Sequence, residues 1–128
     1  MKLPGLLVVL ALLSLPALPA QAGPVLAHDV YFTLSDDSAE AKARLVAACR
    51  KYLTGHEGTV YFAVGTLAAE LDRPVNDRGF HVALHVYFQD RAAHDKYQEA
   101  PRHKQFIEEE KANWKTVRVF DSWVEAPQ

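Results

Sequence analysis

From Phe80 the chain alternates: Phe80, Val82, Leu84, Val86 and Phe88 take one parity, and His81, Ala83, His85 and Tyr87 the other. Successive side chains of a strand point to opposite faces, so this pattern predicts a strand that is apolar on one side. Residues 28–34 (HDVYFTL) alternate in the same way and predict a first strand. Residues 59–67 (TVYFAVGTL) predict another, with Val60, Phe62 and Val64 on its apolar side, and residues 116–124 (TVRVFDSWV) predict the last. Between them the period changes to 3.6. Ala41, Leu45, Ala48, Cys49, Tyr52 and Leu53 form a helical stripe. Asp37 and Glu40 have the spacing of a capping box, and Gly55 suits the left-handed residue that ends a helix. Asp90 is placed to cap a second helix. Pro101 forbids its regular continuation but suits the first turn of a new one, so the pattern predicts helices over 91–99 and 101–112 with a kink between. Residues 68–78 are a charged loop, long for a hairpin connection.

The order βαββαβ with right-handed crossovers predicts an α+β, ferredoxin-like domain: a four-stranded antiparallel sheet with two helices on one face. Parity then sorts the strands. His28, Val30, Phe32, Leu34, Val60, Phe62, Val64, Val82, Leu84, Val86, Val117, Val119, Asp121 and Trp123 are expected to face the helices. His28 and Asp121 break that apolar set, and a buried ionisable group is costly unless it is paired or neutral. Local pattern does not say whether the two meet; a satisfied core histidine and an aspartate near a strand end is the plainer reading. The opposite parity mixes Asp29, Tyr31, Tyr61, His81, His85, Tyr87, Arg118 and Phe120 with small residues. With both helices on the first face, nothing in the chain is expected to cover this one. It faces water or a second copy, and a two-fold homodimer, sheet against sheet, is expected.

The first residues lie outside this pattern. Lys2, an apolar run over 6–18 and Ala20-Gln21-Ala22 read as a secretory signal peptide over residues 1–22, leaving a domain over 23–128 that is exported to a periplasm or secreted. The run is shorter than a membrane span needs, so no membrane association is expected after cleavage. The net charge is -2, and losing Lys2 makes it one unit more negative, which offers no electrostatic footprint for nucleic acid. Cys49 is the single cysteine, so no internal disulfide can form, and its place on an apolar stripe suggests burial.

Candidate chemistry gathers around Pro101. Tyr97 and His103 are six residues apart and would not share a face of a straight helix, but a proline kink can bring them together. His103 is then a candidate general acid or base and Tyr97 a candidate hydrogen-bond donor to a substrate oxygen. A packed Tyr97 and a surface His103 is the plainer reading of the spacing alone. His81 and His85 resemble HxxxH, but on a strand they stand about 13 Å apart and do not chelate one ion. No glutamate follows His81 and there is no cysteine cluster, so no metal is expected. There is no G-x-S-x-G, P-loop or dinucleotide fingerprint. A triad of Ser122, His28 and Asp121 fails because Ser122 has the opposite parity.

HDVYFTL, FHVALHVYFQD, YQEAPRH and VRVFDSWV together resemble the stress-responsive dimeric A/B-barrel (Dabb) family over about residues 26–124. The points of likeness are the opening-strand His28 and a Tyr-x-x-His-Pro-x-His segment, here Tyr97 to His103, in which Ala100 replaces the first histidine. The resemblance implies a ferredoxin-like fold that pairs into a dimeric α/β barrel. It further implies a pocket between sheet and helices for a small, partly apolar molecule, as in family members that act as polyketide cyclases. Residues matching Tyr97 and His103 carry catalysis there, and residues matching His28 and Asp121 lie at the pocket. Val82 stands where those cyclases have a further histidine. Val30, Phe32, Leu84 and Val86, of the same parity as His28, are expected to line the pocket. No cofactor is implied, and any chemistry would be cyclase- or lyase-like proton transfer. The alternative is a non-enzymatic stress or interaction module whose pocket is filled by Phe32, Phe62 and Trp123. A haem- or quinone-using monooxygenase is a third reading, which the histidines permit and no motif supports.

Overall fold

The computed structural model describes Met1 and residues 23–125. The expected signal peptide and the end of the chain after residue 125 lie outside the described residues. The elements are β1 (Val25–Leu34), α1 (Ala39–Leu53), β2 (Thr59–Thr66), β3 (Val82–Phe88), α2 (Arg91–Glu99), α3 (Pro101–Glu110), a 3-10 turn (Lys111–Asn113) and β4 (Trp114–Val124). The sheet is antiparallel with strand order β2-β3-β1-β4, the ferredoxin-like arrangement. Among the described residues, no helix is long and apolar enough to cross a membrane.

Each helix starts and stops for a local reason. The cap of α1 is Ser38, one residue later than the capping-box spacing implied; its side chain accepts from the Ala41 amide at 3.2 Å. The residue three after this cap is Ala41, so no glutamate reciprocates. Arg50 and Lys51 sit in the last turn, where the helix dipole favours positive charge. Gly55 follows at φ +70°, as expected for the chain's exit. Asp90 caps α2, its carboxylate accepting from the Ala93 amide at 2.8 Å. Ala100 is extended at φ -62°, ψ 136°, because a residue before proline is pushed out of the helical region, and Pro101 then opens α3. The two helical pieces expected on either side of Pro101 are therefore separate helices meeting at a corner.

The core lies between these helices and one face of the sheet. Phe32, Val82, Leu84, Val86 and Phe88 from the strands pack on Leu45, Cys49, Leu53, Tyr97 and Phe106 from the helices, all essentially buried. Fully burying such a side chain is worth about 1.5–3 kcal/mol. Gly58, at φ +81°, lets α2 close on the end of β2: a Cβ there would lie 2.4 Å from the Ala93 Cβ.

Four expectations fail in part. The third strand begins at Val82, and Phe80 leaves the core parity to stack on Tyr31 across the sheet, ring centroids 4.9 Å apart. A bulge between Thr59 and Tyr61 places Thr59 opposite Phe88 and leaves Val60 47% exposed, off the helix-facing set. On β4, Val117, Val119 and Trp123 do lie opposite Phe32, Val30 and Leu26, yet all three are exposed, because the helices leave the inner face of this edge strand open. The other sheet face is not bare. The loop after β2 reaches one end of it, with Asp77 paired to Arg118 at 2.8 Å and the Gly79 carbonyl accepting from Thr33 at 2.8 Å.

Candidate functional site between sheet and helices

The register of β1 on β4 sets His28 directly opposite Asp121 on the helix-facing side. The His28 Nδ1 lies 2.6 Å from an Asp121 carboxylate oxygen, a pairing that local pattern could not reveal. Its environment is lopsided. The imidazole side chain is 7% exposed and the carboxylate 46%, since one lies under the helices and the other at the open edge. With the carboxylate ionised, Nδ1–H donates and a neutral ring keeps its Nε2 lone pair.

Tyr97, in the last turn of α2, is 1% exposed. The corner at Pro101 brings His103 against it with ring centroids 4.5 Å apart, and His56, Phe88 and His28 stand at 5.0, 5.0 and 6.0 Å. Burial pushes the Tyr97 phenol above its ordinary pKa, so it stays a neutral donor. Burial also holds the His103 imidazole below its ordinary value. A hydrogen bond to the Gln98 carbonyl opposes this, and nearby His28, His56 and His94 add to it. Nδ1–H of His103 donates to that carbonyl at 3.2 Å, which leaves Nε2 as the basic atom.

His28, Tyr97, His103 and Asp121 all border one pocket of about 340 Å³ between the sheet and α2–α3. Val30, Phe32 and Leu84 line it too. Val86 does not: it is fully buried further back, opposite His28 and Phe62. The pocket is a groove, open where β4 is uncovered. Of the three rings expected to fill it, Phe32 forms wall, Phe62 packs elsewhere in the core and Trp123 is 57% exposed. Trp114 and Phe106 supply the remaining aromatic wall.

Sequence reasoning missed His94. It lies on α2 with its ring 5.1 Å from that of His28, and it lines the same pocket. The signal was present, since His94 adjoins Ala93 and precedes Tyr97 by three on the buried face of α2. His81 and His85 are separate, as expected on a strand. His81 Nδ1 accepts from the Leu34 amide at 2.9 Å and His85 Nδ1 lies 2.5 Å from Asp29. A larger cavity, about 440 Å³, opens on that other face beneath the loop after β2, walled by Tyr31, Phe80 and Phe120. The smaller pocket is the better candidate, because the buried acid–base groups converge there.

A family model described as Stress responsive A/B Barrel Domain matches residues 26–124. Among curated proteins none matches the chain. Solved structures do. A Dabb family protein with a ferredoxin-like fold from Mesorhizobium loti is 23% identical, covering 81% of this chain and 99% of that one with a TM-score of 0.65. A dimeric ferredoxin-like protein of unknown function from Thermobifida fusca is 12% identical, covering 80% and 93% with a TM-score of 0.68. The hydroxynitrile lyase of Passiflora edulis is 19% identical, covering 81% and 96% with a TM-score of 0.64. At these identities the likeness is one of fold.

Proposed function

The chain belongs to the stress-responsive A/B barrel family, and from that membership we propose an exported homodimer that binds a small, partly apolar molecule between sheet and helices and moves a proton there. The observation that carries the reading is the meeting of a His28–Asp121 pair, a buried neutral phenol and a neutral imidazole on one apolar pocket of about 340 Å³. Apolar walls hold a ligand by area, and a few polar groups at one end orient it.

In this reading the ligand's carbonyl oxygen accepts a hydrogen bond from the Tyr97 hydroxyl. His103 Nε2 takes a proton from the adjacent carbon, and the electron pair of the broken C–H bond moves onto that oxygen as an enolate. The Tyr97 donor offsets the new charge, and the imidazolium returns its proton to the product. Such a base contributes about 10²–10⁴ in rate. The fold supports lyase activity in the Passiflora edulis neighbour. The homodimer would form through the face opposite the helices, where Tyr61 and Phe120 are half exposed, and the Thermobifida fusca neighbour is dimeric. Export rests on the apolar run and A-x-A signature of residues 1–22. No cofactor enters this chemistry.

Thermal-shift screening with aromatic and polyketide-like carbonyl compounds tests the reading, because a ligand that binds only the native state raises its melting temperature. His103→Ala should fold and bind or turn over the selected compound more weakly. Equal binding and turnover by variant and parent would overturn it.

A further inference from the structure

The proton-transfer reading leaves His94 without a task, although it is among the groups best placed to have one. One donor atom from each of His28, His94 and Asp121 lies within 4.8 Å of the other two. The three come from β1, α2 and β4, so folding, not local sequence, assembles them. We propose that these residues form a binding site for a divalent transition metal of the zinc class, with at least one coordination position open to the pocket.

Two imidazoles and one carboxylate are the donor set of catalytic zinc sites and of non-haem iron sites, which retain open positions for water or substrate. Outer partners are in place. His94 Nδ1 faces the Asp95 carboxylate at 3.3 Å, which fixes the ring and leaves Nε2 for an ion. That Nε2 accepts from the Gln98 side-chain amide at 3.2 Å, a contact that an ion would displace. In the metal-free chain the proton between His28 and Asp121 holds the pair at 2.6 Å. An ion takes its place and the proton leaves to solvent. Bonds of about 2.1 Å in a tetrahedron put donor atoms about 3.4 Å apart, so the 2.6 Å His28–Asp121 pair must open by about 0.8 Å while the widest separation closes by up to about 1.4 Å. Asp121, 46% exposed at a sheet edge, and His94, on a short helix, are the two that can move. The charge suits a dication, with one carboxylate in the site and a second behind it.

The site goes beyond the organic-ligand reading and does not depend on it, since the probe is the metal alone. Untagged protein stripped with a chelator is titrated with Co²⁺, and the visible absorption is recorded; Zn²⁺ is measured by competition. The expected result is one ion per chain in the micromolar range or tighter, with the intense bands of a four- or five-coordinate site. Loss of a second-sphere group typically costs 10- to 100-fold in metal affinity, so losing a ligand should cost at least about tenfold. His94→Ala and Asp121→Asn are each expected to show that loss. His85→Ala, which removes the similar His–Asp pair on the opposite face, is expected to show none. If His94→Ala fails to fold, Asp121→Asn, at an exposed carboxylate, carries the test. No binding by the parent, undiminished binding by the folded variants, or loss in His85→Ala would each overturn the site. Thermal shift by organic ligands in chelator-treated protein reads the earlier proposal separately.

Discussion

Asp121→Ala isolates the one polar pair that crosses from the buried pocket wall to the open edge. The substitution removes the partner of His28 Nδ1, a donor on a residue only 6% exposed. Leaving a buried donor unsatisfied costs about 1–3 kcal/mol. The lost carboxylate, however, is 46% exposed and borders an open groove, so water can enter where it stood. That places the loss at the low end, about 1–1.5 kcal/mol, with the ion-pair contribution itself discounted for screening. For a domain near 100 residues this is a fall in melting temperature of about 4–10 °C. Asp121→Asn keeps an acceptor but not its charge, and charge-assisted hydrogen bonds are about twice as strong as neutral ones, so about half of the loss should return. Thermal and urea unfolding at pH 7.5 measure both variants. An alanine variant as stable as the parent would show that the pair contributes nothing. A loss well above 3 kcal/mol would show that water does not reach the groove, and the reading of the pocket as open would fall with it.

His103 provides a test by pH. Its folded pKa lies below the unfolded value, so below the ordinary histidine range the unfolded chain binds more protons and stability falls as pH falls. Urea unfolding at pH 7.5 and 5.0 should show a smaller acid loss in His103→Gln than in the parent; an equal loss would mean that the ring is as free as in water. Gly58→Ala combines a positive φ, which costs about 1–2 kcal/mol, with a clash on the Ala93 Cβ, which costs about 1–3 kcal/mol. Denaturant unfolding should show a loss of about 2–5 kcal/mol, and a loss under about 1 kcal/mol would contradict the close seating of α2 on the β2 end. Cys49 is fully buried, and burial, with Glu110 adding to it, pushes its thiol up to about 12. A thiol reagent at pH 8 should modify it only in denaturant, and rapid labelling of native protein would refute its packing.

Strand and helix were legible wherever a single period ran unbroken. β1, α1 and the two short helices around Pro101 could be read from alternation, a 3.6 stripe and one proline. The errors fall where one residue interrupts a period: the bulge that displaces Val60, and Phe80, which changes face before β3 begins. Parity put Val117, Val119 and Trp123 on the correct face but could not show that the helices stop short of β4. Several residues that border the pocket were legible, and their contacts were not. His28 and Asp121 stood out as polar intruders, yet their bond spans 93 residues and depends on the β1–β4 register, which no local pattern encodes. His94 was missed because the apolar stripe of α2 is short and a histidine beside it looks like surface until β1 is packed underneath.

The corner at Pro101 has an outcome of its own. On an unbroken helix, side chains six positions apart are about 120° apart around the axis and about 9 Å apart along it, and the Tyr97 and His103 rings would not meet. They touch because the helix stops and restarts between them. A substitution that let it run through could therefore dismantle the ring pair while leaving both rings in the chain, and helix content would rise as the pocket's polar end came apart.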